Sequence, residues 1–122
     1  MALIDVTKDN FEATVTQPGL TIVDCWSPTC GPCMRFMPVF EKAAEENPDV
    51  TFAKLNTAEQ PELGMALQIM AVPTIMAFRD GIPLYRNTGA LPAKAFDDLI
   101  SQARALDMDE VRRQMAAQEN QE

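Results

Sequence analysis

Hydrophobic positions in this chain switch between unbroken apolar runs and a three-to-four-residue period, and each switch marks an element. Leu20-Thr21-Ile22-Val23-Asp24-Cys25-Trp26 is apolar almost throughout, as expected of a central strand covered on both faces. Residues 3–6, 50–56 and 74–78 read as further strands. Residues 31–46 carry Phe36, Val39, Phe40, Ala43 and Ala44 on one helical face, opposite Arg35, Glu41, Lys42, Glu45 and Glu46. Pro38 lies inside that helix and should kink it. Three shorter helices are predicted. Thr7 would cap one that sets Phe11 and Val15 on one face. Pro61 suits the first turn of another, with Leu63, Ala66, Leu67 and Met70 in register. Pro92 opens a third, carrying Phe96, Leu99, Ile100 and Ala103. Pro18-Gly19 and Asn47-Pro48-Asp49 are turns, and Asp80-Gly81 makes a hairpin into Ile82–Thr88. Pro83 confines that last strand to a sheet edge.

The order β-α-β-α-β-α-β-β-α predicts an α/β fold, a three-layer α/β/α sandwich around a central mixed sheet. Strands separated by helices should pair in parallel, and the final hairpin adds antiparallel pairing. From Asp107 the pattern changes. Asp107 and Glu110 form a capping-box-like start, and Met108, Val111 and Met115 then share one face. Residues 1–106 are therefore expected to form one domain and 107–122 a short C-terminal helical extension that frays from Gln118. A solubilising tail is the simpler expectation for that extension; docking to a partner or to a second copy is the alternative.

Composition narrows the function. At 47% hydrophobic and 23% charged residues, the chain is neither disordered nor fibrous. No apolar run approaches the ~20 residues of a membrane span. Ten basic against 18 acidic residues leave a net charge of −8, which phosphate would repel, so neither nucleic acid nor a membrane is an expected partner. Histidine is absent, which removes Ser-His-Asp and Cys-His machinery and every His-ligated metal site. The opening Met1–Asp5 stretch lacks the basic flank and long apolar run of a secretory signal, so a reducing, cytoplasmic setting is expected.

Three cysteines cluster at 25, 30 and 33, an odd number and too close together to staple distant parts of a fold. Cys30-Gly31-Pro32-Cys33 falls between a buried strand and a helix start, where free N–H groups and the positive dipole end favour an anion. A thiol there ionises more readily, and thiolate is the attacking species. Cys33 is spaced to resolve a mixed disulfide made by Cys30, and Gly31 and Pro32 restrict the loop between them. If half the thiol were ionised, thiolate would rise roughly 16-fold, yet the fall in nucleophilicity would leave only a threefold gain. Orientation and the internal second thiol must supply the rest.

These residues, together with Val23-Asp24-Cys25-Trp26-Ser27-Pro28, Pro38, Lys54-Leu55-Asn56, Val72-Pro73-Thr74, Asp80-Gly81 and Gly89-Ala90-Leu91, strongly resemble the thioredoxin family over residues 3–106. The resemblance implies a thioredoxin fold and a thiol–disulfide oxidoreductase that reduces protein disulfides. Its expected place is cell redox homeostasis and electron transport. Cys30 would be the nucleophile and Cys33 the resolving thiol. Asp24 would be the buried carboxylate that exchanges a proton with Cys33, with Lys54 as its partner. A carboxylate inside an apolar strand independently points the same way, because desolvation raises its pKa. Trp26, Thr29, Gly31 and Pro32 would form the active-site loop. Pro73 would be cis, leaving the Val72 backbone free to pair with an extended client, with Met70, Ala71, Thr88 and Gly89 lining the same apolar groove. Disulfide-bearing client proteins and a thioredoxin-reductase-like electron donor are the implied partners, with no bound cofactor and a monomeric chain.

Two departures from the family pattern stand out. Thr29 replaces the Trp that usually precedes the first cysteine, and Cys25 occupies a position often aromatic. Cys25 is expected to be a buried small hydrophobe rather than a third redox thiol. Met34, Met37, Met65, Met70 and Met76 are expected chiefly to fill core, with an adaptable client surface as the alternative. Competing functions are a non-catalytic adaptor of the same fold and a disulfide isomerase or oxidase. No metal is expected, since three thiols without His or a fourth Cys make a poor ligand set.

Overall fold

The computed structural model describes residues 3–120. Strands β1 (Ile4–Asp5), β2 (Leu20–Trp26), β3 (Thr51–Asn56), β4 (Thr74–Arg79) and β5 (Ile82–Thr88) form one sheet in the order β1-β3-β2-β4-β5. The helices are α1 (Phe11–Val15), α2 (Gly31–Glu46), α3 (Pro61–Ala66), α4 (Ala93–Ala105) and α5 (Met108–Asn120). This is the mixed three-layer sandwich expected, with β5 at an edge and β2 in the centre.

The strand period of two sorts the core into two layers. Leu20, Ile22, Phe52, Ile75 and Ala77 face α2 and α4, where they meet Phe36, Phe40, Phe96 and Ile100. Val23, Cys25, Ala53, Leu55, Met76 and Phe78 face the other way, towards Val15, Phe11 and Leu63 of α1 and α3. The first layer is built on aromatics: the Phe96 ring sits 5.2 Å from Phe36, 5.9 Å from Phe40 and 6.5 Å from Phe52.

One pairing departs from expectation. β1, β3 and β2 run parallel, but β4 is antiparallel to β2 although a helix separates it from β3. Residues 57–73 fold up at the end of the sheet where β3 finishes: the Thr57 N–H donates to the Trp26 carbonyl there, and only Pro61–Ala66 become helix. The chain therefore enters β4 at the end where β3 finished, with Cys25 opposite both Leu55 and Thr74.

Two helix ends also differ. α1 starts only at Phe11; Thr7 Oγ1 accepts from the Asp9 N–H in the preceding turn and does not cap the helix. α3 stops at Ala66, so Met70 lies beyond it and not in its register. The Asp80-Gly81 turn has φ +53° and +83°, the pair of left-handed residues that a two-residue hairpin requires.

In the extension, Asp107 Oδ1 accepts from the N–H groups of Asp109 and Glu110, as an N-cap should. α5 continues to Asn120, past the expected fraying point at Gln118, while Gln121 and Glu122 lie outside the described residues. Met108 is buried, and Arg112 reaches Asp80 in the β4–β5 turn at 3.0 Å. Arg79 closes the end of α4 by donating to the carbonyls of Ala103, Arg104 and Leu106. α5 thus packs on the domain through an apolar anchor and a charged latch.

Candidate active site

Cys30 and Cys33 are joined as a disulfide, with Cα atoms 5.2 Å apart, at the N-terminal end of α2. Cys30 is the N-cap: its Sγ accepts a hydrogen bond of 3.1 Å from the Cys33 N–H. Pro32 sits in the first turn, where its missing N–H leaves no carbonyl without a partner. The two thiol positions are not equivalent. Cys33 is fully buried, whereas Cys30 keeps part of its surface in solvent. The helix N-terminus and the N–H aimed at Cys30 Sγ favour negative charge on that sulfur once the bond opens.

The loop before Cys30 is tied by hydroxyl groups. Thr29 N–H donates to Ser27 Oγ at 3.3 Å, the two side-chain oxygens lie 3.1 Å apart, and the Cys30 N–H donates to the Ser27 carbonyl. Ser27 was not singled out from sequence; its signal was the Ser-x-Thr spacing of a side-chain turn. Thr29, Gly31 and Pro32 are exposed, leaving an open rim beside Cys30.

Asp24 shares its strand face with Leu20 and Ile22, so it lies on the side of the sheet covered by α2, the helix carrying Cys33. Both carboxylate oxygens are buried with no hydrogen-bond partner in the chain. Burial pushes the carboxyl up to about 7, with the Lys54 charge opposing that rise only in part. Lys54 stands directly across from Asp24 on β3. The expected Asp24–Lys54 partnership is nonetheless not an ion pair: among the described residues no contact within 4 Å joins them. Lys54 Nζ instead lies 5.6 Å from the centre of the Trp26 ring, beside a cleft of about 320 Å³ lined by Asp5, Asn56, Glu59 and Gln60. An ammonium keeps more hydration there than it would against a fully buried carboxylate. Trp26 Nε1 is itself buried without a partner.

The Val72–Pro73 bond is cis. Pro73 is buried and immediately precedes Thr74, which pairs with Cys25, so it lies at the end of the sheet from which the Cys30 loop departs. Gly89, at φ +110°, donates to the Pro73 carbonyl at 2.8 Å and brings the Thr88-Gly89 corner alongside. Met70 is 92% exposed and Ala71 exposed, with Val72 half-buried. The methionine expectation needs correcting: Met34 and Met65 are also exposed, at 48% and 79%, and of the five only Met76 is buried. Met34 follows Cys33 on a helix whose buried face is already filled by Phe36 and Phe40, and Met65 and Met70 flank the end of short α3.

Cys25 is a free, fully buried thiol on the sheet face away from α2, and burial pushes it up to about 12. It packs in the core layer under α1 and α3, on the opposite side of the sheet from the helix that carries Cys33. A further residue not anticipated from sequence is Arg86, whose Nη2 donates to the Gln68 carbonyl at 2.6 Å beside the Met70–Pro73 segment.

Two sulfurs that can hold and release a bond to each other while one stays accessible carry out dithiol–disulfide exchange, and the chain is a thiol–disulfide oxidoreductase of the thioredoxin fold. The Thioredoxin family model matches residues 2–102, and the chain belongs to that family. It is 48% identical over 118 residues to the Streptomyces coelicolor protein named "Putative thioredoxin 2", covering 97% of this chain and 88% of the relative. It is 36% identical to the thioredoxin of Alicyclobacillus acidocaldarius over 79% of this chain and 92% of that one. The crystal structure of Malassezia sympodialis thioredoxin superposes with a TM-score of 0.76 at 29% identity, covering 85% of this chain and 92% of that structure.

Proposed function

We propose that this oxidoreductase works as a cytoplasmic protein-disulfide reductase. A client disulfide docks as an extended strand against Met70, Ala71 and Val72 beside Pro73, with Thr88 and Gly89 at the groove's edge. The Cys30 thiolate attacks one client sulfur and forms a mixed disulfide, and the client's second sulfur leaves as a thiolate that takes a proton from water. Cys33 passes its proton to the Asp24 carboxylate and attacks Cys30 Sγ. That step releases the remaining client sulfur as a thiolate, which takes up a proton from water, and leaves the Cys30–Cys33 bond. Two electrons have then passed to the client, and a thioredoxin-reductase-like donor returns them. Lys54 tunes Asp24 through space, and Trp26 and Thr29 form the wall beside the loop.

The observation that carries this reading is the inequality of the two sulfurs. Cys30 is accessible and caps a helix that stabilises its anion, while Cys33 is closed off and lies on the helix above a carboxyl held near pH 7. Access supports Cys30 as the nucleophile, and the nearby proton acceptor supports Cys33 as the resolving thiol.

Reduction of insulin disulfides by the wild type, Cys30→Ser and Cys33→Ser tests the assignment. The Cys30 variant should lose at least about 100-fold in rate, and the Cys33 variant should accumulate client linked through Cys30. Equal, negligible rates for wild type and Cys30→Ser would favour the adaptor reading. A Cys30/Cys33 reduction potential near the roughly −180 mV of protein disulfide isomerase would reverse the direction.

A further inference from the structure

α3 ends in a two-bond closure. The Ile69 N–H donates to the Gly64 carbonyl at 2.9 Å, and the Gln68 N–H to the Met65 carbonyl at 3.0 Å. This closure needs a left-handed residue at position 68, where glycine is the usual occupant. Here a glutamine takes it, at φ +57°. A residue with a Cβ stays in that conformation when its surroundings over-determine it. One of the restraints comes from a distant part of the chain. Arg86, on edge strand β5, pairs in register with Met76 and so sends its side chain over the α1–α3 face, where Nη2 meets the Gln68 carbonyl at 2.6 Å.

The segment beyond Gln68 gives this bond its consequence. Ile69 packs into the core layer beneath α3, and the chain then emerges as exposed Met70 and Ala71 before Val72 and Pro73. The far end of this segment is also fastened: Thr74 Oγ1 donates to the Ala71 carbonyl at 2.6 Å, and Gly89 N–H to that of Pro73. Arg86 supplies the charged tie at the near end. A charged donor on a carbonyl is among the stronger hydrogen bonds available to a surface loop.

We infer that Arg86 is a positioning residue for client recognition, gripping the Gln68 carbonyl so that residues 69–73 keep the bent course that presents Met70, Ala71 and Val72 to a client strand. This rests on the docking role proposed above for Met70, Ala71 and Val72. Arg86 acts on the shape of the docking segment and not on either sulfur, so its loss should weaken client binding and spare the exchange chemistry.

The test compares Arg86→Met and Arg86→Lys with the wild type on two substrates. One is a peptide joined by a mixed disulfide to thionitrobenzoate, which must lie along residues 70–72; the other is the small aromatic disulfide DTNB, which need not. Arg86→Met should raise KM for the peptide about tenfold, the low end of the weight of one charged hydrogen bond, and leave kcat unchanged. The DTNB rate and the Cys30/Cys33 reduction potential should not move. Arg86→Lys, which keeps one donor, should recover most of the peptide KM. Amide hydrogen exchange at residues 69–72 should quicken in Arg86→Met and not in Arg86→Lys. An unchanged peptide KM, or a DTNB rate that falls as far as the peptide rate, overturns the inference. Unaltered exchange at residues 69–72 in Arg86→Met also overturns it, whatever the activity. Failure of the wild type itself to turn over the peptide, with DTNB still reduced, removes the docking role instead.

Discussion

Replacing Asp24 by Asn should make stability less dependent on pH in a calculable way. Asp24 is wholly buried, both oxygens lack partners, and its carboxyl sits at about 7 against an ordinary 3.8. The folded chain therefore holds this proton where the unfolded chain releases it. With the folded pKa raised, the stabilisation is fully present below pH 3.8 and is lost as pH rises towards 7. At 1.36 kcal/mol per tenfold change in proton affinity, the whole effect is about 4 kcal/mol. Asn cannot titrate, and the cost of burying its amide is the same at every pH. Urea denaturation of the oxidised wild type and Asp24→Asn at pH 4, 5, 6, 7 and 8 isolates this carboxyl, because every other group cancels in the difference. The variant's advantage should grow by about 4 kcal/mol from pH 4 to pH 8, most steeply between 5 and 7, and then level off. A difference constant to within about 1 kcal/mol across that range would refute a buried Asp24 raised to about 7 and the proton transfer built on it.

The other expectations rest on packing and latching. Phe96→Ala should cost about 3–5 kcal/mol in urea denaturation, because Phe96 is fully buried among Phe36, Phe40 and Phe52. Cys25 should resist iodoacetamide in the native oxidised protein and react once denatured, and Cys25→Ala should leave insulin reduction unchanged. Asp80 is held below its ordinary value, first by the Gly19 N–H and then by Arg112. Its contribution is therefore present above pH 3.8 and lost as pH falls below it. Asp80→Asn should remove that acid dependence and speed tryptic cleavage after Arg112 and Arg113, as α5 loses its latch.

Much of this protein was legible in local chemistry. The unbroken run of β2, the period of α2, the Asp80-Gly81 turn and the edge strand marked by Pro83 all depend on neighbours a few residues away, and the structure has them as the pattern implied. CGPC at a helix start belongs to the same class of signal. Asp24 was conspicuous for the same reason, as a carboxylate in a stretch that otherwise had to be buried.

Features that depended on distant chain ends could not be read that way. The direction of β4 was settled by the 57–73 connection staying at the end of the sheet where β3 finishes, and Lys54's station over Trp26 by the competition between hydration and a buried carboxylate. The exposed methionines follow from helices whose inner faces were already full. Arg86's grip on Gln68 joins residues eighteen apart that no periodicity links. Order along the chain dictated which elements form and where the sulfurs sit. Only packing in three dimensions decided which sulfur stays accessible and what shape the segment beside it keeps, because burial and long-range contact belong to the folded whole.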